Sequence, residues 1–391
     1  MRPPDLRGAI PTLLTVLLVA SACREGQPQS SFAPIAAPAF GTDGCNGSNL
    51  VFGSVQEVYS DPSVIGPMSQ LAGSATDEVL YLTGADGTVR ALDFGASATI
   101  PVESTVLAAG AVDALLGAVF SAPSPALLSG ISVLDPSNLV VVEHTSNTVL
   151  IVSLVNPGQV AFYVGFPDET PGFTDSVAGA ARFSFPPTVP AQIVASGDGR
   201  LFIADPGNHA VREVTLGQSS VVSTLAGVGI PLSLDGPSFQ AGFDQPTGLA
   251  ISCGGELLVT ENGPTGEKLR SIAPGPPSFF GPPAGRVTTL AGDGQDQSSD
   301  GIGGAASLAG PVAPVMTSGG DIYFVDGDTG ILRRQALATG VVDCPLFVDC
   351  DAANLASGSF SGPGAYSLAL SASGALYVLD GTAGKIYLVT P

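Results

Sequence analysis

Short runs of aliphatic, aromatic and β-branched residues recur along the chain at intervals of 54 to 65 residues. They are Val79–Leu82, Leu139–Val142, Leu201–Ile203, Leu257–Val259, Ile322–Phe324 and Leu376–Val378. Most follow a turn-forming pair such as Asp198-Gly199, Gly254-Gly255 or Gly319-Gly320. Runs of this length and composition are typical of buried β-strands, and nothing in the pattern requires a helix. The interval fits four strands and one long connection per repeat.

A six-residue pattern marks each repeat: two variable positions, one apolar residue, two more variable positions and a proline. Its six copies are Pro62–Pro67, Ala118–Pro123, Ala181–Pro186, Ala241–Pro246, Ala306–Pro311 and Gly358–Pro363. Self-similarity at a long, nearly constant period indicates stacked structural units, and units of this size are propeller blades or solenoid turns. The sequence therefore predicts an all-β repeat protein with a single folded domain over residues 50–391.

The third repeat shows the order of strands within one unit. We expect strands at Gln192–Ala195, Arg200–Ala204, Ala210–Thr215 and Ser220–Leu225, followed by a long loop to Pro246. In the fourth repeat, Val287–Gly292 matches Val222–Gly227 of the third, and Asp-Gly pairs follow at equal offsets, at residues 235–236 and 300–301. These two neighbouring loops are therefore copies of one template.

The first 22 residues have the pattern of a signal peptide, with Arg2 and Arg7 ahead of an apolar stretch, Ala9–Ala20. That stretch is too short for a membrane-spanning helix, which needs about 20 residues. The Ala-Ser-Ala before Cys23 resembles a bacterial lipobox, in which the cysteine becomes the lipidated first residue; the alternative is an ordinary secreted protein. Residues 23–49 are rich in Gln, Ser, Ala and Pro, which predicts a flexible tether. We expect an extracytoplasmic lipoprotein on the outer membrane or cell surface, anchored by the lipid alone.

The chain is strongly acidic, with 34 Asp and Glu against 13 Lys and Arg and a net charge of −21. Removal of residues 1–22 takes away Arg2, Arg7 and Asp5, which makes the net charge −22. Such a charge repels phosphate groups, which argues against nucleic acid as a partner.

The third repeat carries a motif that resembles a known family. The segment Asp205-Pro206-Gly207-Asn208-His209-Ala210-Val211-Arg212 resembles the NHL repeat, named for its Asn-His-Leu tripeptide, with alanine at the third position. Ala241–Gly248 is similar to the stretch that introduces each NHL blade. The resemblance, to exported bacterial NHL-repeat lipoproteins, covers residues 50–391 and is most specific in the third and fourth repeats. It implies a β-propeller, usually with six blades, the number of copies found here.

Closure of such a ring requires a strand from the other end of the chain. The sixth repeat supplies three strand patterns, Tyr366–Leu370, Ala375–Leu379 and Lys385–Val389. An open ring would expose an unpaired sheet edge. Because Ser54–Tyr59 alternates like a strand, we predict a six-bladed β-propeller closed by this N-terminal strand in the last blade.

Acidic residues end five of the six second strands, and Gly84 ends the other. They are Glu143, Asp205, Glu261, Asp326 and Asp380. A carboxylate at this position can hold the following turn by accepting backbone N–H bonds. Third-strand arginines could pair with these carboxylates in the same or the next blade: Arg90, Arg212, Arg270 and Arg333. The alternative is an acidic ring that faces a ligand.

The two histidines of the chain, His144 and His209, fall in two of the same turns, in neighbouring blades. There they could pack the turn or share a cation. Asp326–Gly330 has the spaced carboxylates of a calcium loop, and a second acidic cluster lies between Asp293 and Asp300, but neither ends in the bidentate glutamate of an EF-hand. We expect no cofactor, with Ca²⁺ as the alternative.

Four cysteines follow Cys23, and in an exported chain they allow three pairings. They are Cys45, Cys253, Cys344 and Cys350. The loop between Cys344 and Cys350 is the easiest to close, so we predict a structural disulfide there.

Two functions from different classes are consistent with this sequence. The first is a non-catalytic, monomeric propeller of the cell envelope that binds a protein or glycan partner through its loops, with Glu143, His144, Asp205, His209, Glu261, Asp326 and Asp380 as candidate binding residues. The second is a divalent-metal hydrolase or lyase, like the gluconolactonase and peptidylglycine lyase enzymes, which hold a metal in the channel of a six-bladed propeller. Their ligand sets are not found in this sequence. We favour the first because loops displayed on one face of a repeat scaffold are natural recognition surfaces.

Overall fold

Strand pairing organises the chain into six antiparallel sheets. The computed structural model describes residues 54–95, 100–120, 125–217, 220–274, 285–346 and 360–390. Each sheet is one blade, so the predicted six-bladed β-propeller is confirmed. The predicted signal peptide, Cys23 and the tether of residues 23–49 lie outside the described residues.

The blades share a plan of four strands, numbered here in chain order. The innermost strands are β2 (Leu71–Gly73), β6 (Leu128–Asp135), β11 (Ile193–Ser196), β16 (Pro246–Ile251), β21 (Pro311–Met316) and β25 (Tyr366–Leu370). The second strands are β3 (Val79–Thr83), β7 (Asn138–Glu143), β12 (Arg200–Asp205), β17 (Leu257–Glu261), β22 (Asp321–Asp326) and β26 (Leu376–Asp380). The third strands are β4 (Val89–Asp93), β8 (Thr148–Ser153), β13 (Ala210–Thr215), β18 (Lys268–Pro274), β23 (Ile331–Ala336) and β27 (Lys385–Thr390). The fourth strands are β1 (Ser54–Ser60), β5 (Val102–Leu107), β9 (Val160–Val164), β14 (Val221–Ala226), β19 (Gly285–Ala291) and β24 (Val341–Asp343).

Three connections between blades add a short fifth strand to the outer edge of the blade that they lead into. These strands are β10 (Ser176–Val177), β15 (Gly236–Pro237) and β20 (Gly301–Ile302). Short 3₁₀ turns lie at Ala178–Ala180, Pro206–Asn208 and Gly303–Ala305. The strand plan predicted for the third repeat agrees with the observed strands to within one residue at each end.

The connection into the second blade contains a helix, α1 (Ala111–Gly117), that the sequence analysis did not anticipate. The segment is rich in alanine and leucine, which favour helix. Val112 and Leu116 are buried in the core cluster between the first two blades, so the helix covers this interface. No helix among the described residues is long and apolar enough to cross a membrane.

The hydrophobic core is divided into six clusters, each between two neighbouring blades. Strand β12 shows how one sheet serves two clusters. Leu201 and Ile203 pack towards the second blade, whereas Phe202 and Ala204 pack towards the fourth. Successive side chains of a strand point to opposite faces, and in a propeller both faces are buried. The second strands therefore read as continuous apolar runs.

The six-residue pattern owes its apolar position to these clusters. Each copy inserts that side chain into a different inter-blade cluster: Val64, Phe120, Phe183, Phe243, Leu308 and Phe360. The repeat in sequence is therefore a repeat in packing, since every gap between blades is filled by one such residue.

The ring is closed as predicted, by pairing of the two ends of the folded chain. Strand β1 pairs antiparallel with β27, from Ser54 opposite Thr390 to Ser60 opposite Lys385, with a bulge at Val58. Lys385 Nζ lies 2.8 Å from Glu57 Oε2, and the hydroxyl groups of Ser54 and Thr390 are 2.6 Å apart. The last blade thus combines three C-terminal strands with one N-terminal strand.

Candidate functional site: the loop face of the propeller

The acidic residues that end the second strands are buried. Glu143, Asp205, Glu261, Asp326 and Asp380 each have a relative exposure of 0%. All five lie on one face of the propeller, which we call the top face, where the turns from second to third strands and the connections between blades are found. These side chains have no surface to offer a partner.

Three of these carboxylates are paired with arginines of the next strand. Arg212 Nη1 donates to Asp205 Oδ2 at 2.8 Å, and Arg333 Nη1 donates to Asp326 Oδ2 at 2.6 Å. Arg270 Nη1 donates to Glu261 in the same way. Each arginine pairs within its own blade, which decides between the two pairings that the sequence left open. In the first blade, where Gly84 has no side chain, Arg90 pairs with Asp86 at 3.0 Å and with Glu103.

A second carboxylate, from the connection that leads into the blade, completes each buried arginine site. Arg212 Nη2 lies 2.6 Å from Asp175 Oδ1, and the equivalent distances are 2.6 Å for Arg270 to Asp235 and 3.5 Å for Arg333 to Asp300. The guanidinium of Arg212 also lies between two aromatic rings, 5.1 Å from the centroids of Phe173 and Phe183. Each arginine therefore ties a connection to its blade.

Burial sets the protonation behaviour of these pairs. It raises the pKa of Asp205 to about 6 even though Arg212 and Asn208 favour the charged form. The pKa values of Glu261 and Asp326 are raised for the same reason. Three donors, from Ser184, Asn208 and Arg212, contact the Asp205 carboxylate and favour its ionised form.

Glu143 and Asp380 hold their turns without an arginine. Glu143 accepts backbone N–H bonds from Leu127, Thr145 and Ser146, at 3.2, 2.8 and 2.7 Å. Asp380 accepts them from Ser361, Thr382 and Ala383, at 2.9, 3.0 and 2.8 Å. These contacts agree with the turn-holding interpretation of the acidic positions.

The two histidines have separate partners in the structure. His144 is buried, with Nδ1 donating to the Pro186 carbonyl at 2.9 Å and Nε2 2.6 Å from Ser129 Oγ. Burial lowers the pKa of His144 to about 4, so the ring is neutral at pH 7. The closeness of Ser129 resembles a catalytic pair, but no carboxylate orients the ring and both side chains are inaccessible.

His209 occupies a turn position that requires a left-handed backbone, with φ 49°. Its Nδ1 accepts the N–H of Gln245 at 3.2 Å and lies 3.5 Å from Asp244 Oδ1. Burial lowers its pKa. Its side chain is 18% exposed, which makes it the one predicted binding residue with appreciable access to solvent.

Two acidic motifs that the sequence treated separately meet on the top face between the fourth and fifth blades. Burial raises the pKa of Asp328, and the negative charge of the neighbouring Asp296 raises it further. Glu267 accepts the N–H of Gly310 at 2.5 Å, and burial together with Asp296, Asp328 and Asp326 raises its pKa to about 7. Among the described residues, no group of three or more His, Cys, Asp or Glu side chains is arranged to hold a metal ion. The calcium alternative stays a prediction.

The propeller axis is bridged by glutamines. Gln192 Nε2 of the third blade donates to Gln70 Oε1 of the first at 3.2 Å, and Gln192 Oε1 accepts the N–H of Leu249 of the fourth at 2.6 Å. The inner strands approach closely, since a Cβ on Gly130 would collide with the carbonyl of Ala191 in the next blade. The polar groups at the axis are thus used to join blades.

Exposed apolar side chains are concentrated elsewhere on the top face, on the connections into the third and fourth blades. Phe166 and Phe173 of the first connection are 45% and 44% exposed. Val228, Ile230, Leu232 and Leu234 of the second are 38%, 58%, 38% and 49% exposed. We call these six residues the loop surface. Exposed apolar side chains that are grouped in this way are candidates for contact with a partner.

The two connections that carry the loop surface touch each other. Arg182 lies over the ring of Phe166 at 5.0 Å and also packs against Gly172. The ring of Phe173 packs against Gly229, because a Cβ on that glycine would lie 2.9 Å from its Cε1 atom. This surface was not predicted, although the apolar alternation from Val228 to Leu234 is visible in the sequence.

Within the described residues, Cys253 and Cys344 each take part in a disulfide bond. Cys350, the predicted partner of Cys344, lies outside the described residues, as does Cys45. The pairing of Cys344 with Cys350 stays a prediction.

Comparison with known proteins identifies the fold. No protein-family model matches the chain, and no curated protein matches it. A crystal structure of a protein of unknown function from Bacteroides thetaiotaomicron is similar, with a TM-score of 0.53 and 13% identity over 86% of this chain and 75% of that one. A gluconolactonase from Xanthomonas campestris is similar with a TM-score of 0.52 and 13% identity, over 88% of this chain and 97% of that one. At such identities the likeness shows the six-bladed propeller fold alone.

Proposed function

We propose that this protein is a non-catalytic propeller of the bacterial cell envelope, with NHL-type blades, that binds a protein or glycan partner through the loop surface. In this proposal Cys23 carries the lipid anchor, and residues 23–49 space the propeller from the outer membrane or cell surface. The buried carboxylates at the turn positions maintain the blades, and the apolar side chains of the connections make the contact.

The observation that carries the proposal is a contrast between two connections whose backbones correspond where they leave one blade and where they enter the next. Gly227 and Gly229 have φ values of 108° and 80°, and their counterparts Gly292 and Gly294 have 98° and 82°. Leu234 donates to the Gly242 carbonyl at 3.1 Å, as Ser299 does to the Ser307 carbonyl at 3.1 Å.

The side chains of the two connections nevertheless have opposite character. At equivalent positions, the connection into the fourth blade has Val228, Ile230, Leu232 and Leu234 where the connection into the fifth has Asp293, Gln295, Gln297 and Ser299. Since polar residues occupy these four positions in the neighbouring connection, the blade plan does not itself require apolar residues there. Their exposure is better explained by a partner that covers them.

The proposal can be tested by site-specific photo-crosslinking in the bacterium of origin. A photoreactive phenylalanine analogue would replace Ile230, or, as a control, Leu337, which is 45% exposed in a turn between third and fourth strands on the opposite face. We expect one dominant protein or glycan adduct from position 230 and none from position 337. Equal adducts from both positions, or none from either, would contradict the proposal.

The metal-enzyme alternative has its own measurement. The protein would be purified without chelators and its metal content determined. A stoichiometric transition metal that supports hydrolase or lyase activity would replace the proposal with the alternative.

A further inference from the structure

We infer that the partner of the loop surface is a protein segment whose apolar side chains are flanked by lysine or arginine. This inference rests on the proposed function and names the class of partner, choosing protein over glycan. Three features of the structure support it: the chemistry of the surface, the charge around it and the rigidity of the loops.

The chemistry of the surface suits apolar side chains. Its six residues are Phe, Val, Ile and Leu, none of which can form a side-chain hydrogen bond. A glycan covered by such residues would lose hydrogen bonds from its hydroxyl groups to water without replacement. None of the six is a tyrosine or a tryptophan, whose rings carry a hydrogen-bonding group. Apolar protein side chains lose no hydrogen bonds on this surface.

The charge around the surface is negative. Asp168, Glu169, Asp175 and Asp235 border it, and Asp175 and Asp235 are 49% and 42% exposed. These carboxylates are paired, Asp168 with Arg182, Asp175 with Arg212 and Asp235 with Arg270. Because the buried Asp205 and Glu261 share two of these arginines and Glu169 is exposed, acidic groups outnumber basic ones around the surface. With a net charge of −21 on the whole chain, a basic partner is attracted, whereas anionic lipids and a second copy of this chain are repelled.

The loops are held in place before any partner binds. Gly172 donates to the Phe183 carbonyl at 2.8 Å, and Leu232 donates to the Phe243 carbonyl at 3.1 Å. Both acceptors belong to copies of the six-residue pattern, whose side chains are buried between blades. Pro171 and Pro231 restrict the backbone beside these anchor points. Because little conformational entropy is lost on binding, a short segment suffices for a specific contact.

The test uses purified protein and two synthetic peptides, one alternating leucine with lysine and the other alternating leucine with glutamate. Binding is measured by fluorescence anisotropy at low and physiological ionic strength. We expect the lysine peptide to bind, more weakly as salt rises, and the glutamate peptide to bind at least about tenfold less tightly.

A variant separates the apolar contribution from simple charge attraction. Val228→Asp, Ile230→Gln, Leu232→Gln and Leu234→Ser together give this connection the polar side chains of the neighbouring one. Because Val228→Asp also adds a negative charge, the matched control is Val228→Asp alone. We expect the fourfold variant to bind the lysine peptide about tenfold less tightly than this control. Val155→Ser with Leu337→Ser, on the opposite face, should leave binding unchanged.

Three results would overturn the inference: equal binding by the fourfold variant and its control, equal binding of the two peptides, or displacement of the lysine peptide by soluble peptidoglycan fragments. A glycan adduct at position 230 in the crosslinking experiment would refute this inference but leave the proposed function intact. The absence of any adduct there would refute the proposed function itself.

Discussion

At the scale of single residues, the top face of the propeller depends on arginines that are wholly enclosed. The side chains of Arg212, Arg270 and Arg333 are 0% exposed, and each contacts a buried carboxylate from its own blade and a half-exposed one from a connection. A buried charge is tolerated only when it is paired and hydrogen-bonded. Loss of the arginine therefore matters more than loss of an ordinary ion pair.

We predict that Arg212→Ala lowers the free energy of unfolding by about 3–5 kcal/mol, because it leaves Asp205 buried without its cation. The matched change, Arg182→Ala, removes an arginine whose side chain is 33% exposed and should cost about 1 kcal/mol or less. Urea unfolding of both variants measures the difference. Similar losses in the two variants would show that burial of the Asp205 pair contributes nothing.

The raised pKa of Glu267 leads us to expect that the stability of the folded protein depends on pH. Burial and the neighbouring acids raise its pKa from the ordinary value of 4.5 to about 7, so the folded protein binds this proton more tightly than the unfolded chain does. The resulting stabilisation is fully present below about pH 4.5 and is lost as the pH rises through about 7. We expect Glu267→Gln to match the wild type at pH 4 and to exceed its stability at pH 8 by about 1 kcal/mol or more.

The measurement is thermal or urea unfolding at both pH values, in the presence of a chelator so that no calcium neutralises the cluster. Glu256→Gln, at an exposed turn, serves as the control and should show no such gain. If Glu267→Gln is no more stable than the wild type at pH 8, repulsion among the carboxylates does not destabilise the folded protein.

Cys23 determines the predicted membrane attachment. We expect Cys23→Ala to abolish membrane association in the bacterium of origin, because the lipid is the only anchor that the sequence predicts. Fractionation of cells at high salt measures this. Retention of the variant in the membrane fraction would contradict the lipoprotein assignment.

At the scale of elements, the connection into the fourth blade combines one buried aromatic side chain with several exposed apolar ones. Phe243 is fully buried between the third and fourth blades, while Val228 and Ile230 are exposed in the same connection. The buried apolar residue has a structural role in every blade, whereas the exposed residues differ from one connection to the next.

We predict that substitutions in these two parts change the free energy of unfolding by very different amounts. Phe243→Ala should cost about 3–5 kcal/mol by emptying an inter-blade cluster. The fourfold change of Val228, Ile230, Leu232 and Leu234 to the residues of the next connection should cost no more than about 0.5 kcal/mol per substitution, or about 2 kcal/mol in total. Calorimetry of the two variants checks both values; a large loss in the fourfold variant would mean that the apolar loop has a structural role.

At the scale of the whole molecule, stability depends on one antiparallel pairing between distant parts of the chain. Strand β1 covers the edge of β27, and Tyr59 reaches on to Glu103 of the first blade at 2.9 Å. The closing strand therefore holds the last blade together and connects it to the first.

Two truncations test this closure. Deletion of residues 23–48 removes only part of the predicted tether and should leave the unfolding temperature nearly unchanged. Deletion of residues 23–60 removes β1 and leaves the backbone groups of β27 unpaired, so we expect a clearly lower unfolding temperature or aggregation. Equal behaviour of the two proteins would show that β1 contributes nothing to closure.

The sequence by itself determined the features that depend on local pattern. The blade count follows from the six-residue pattern because every gap between blades needs one apolar residue, as Phe183 and Phe243 show. The strand order within each blade follows from short apolar runs and turns, and the closing strand from the alternation of Ser54–Tyr59. Such features repeat with the unit, so they are readable without knowledge of distant contacts.

Only the tertiary structure decided which side chains are covered. The acidic positions were predicted to hold turns, with a ligand-facing ring as the alternative, and the structure shows Asp205 enclosed between Arg212 and the backbone N–H of Ser184. The meeting of Asp296 with Glu267 and Asp328 joins segments that are far apart in sequence. The loop surface is likewise visible only in the structure, because its six apolar side chains are identified by their exposure. Exposure depends on the arrangement of the whole chain around a residue, and no local pattern contains that information.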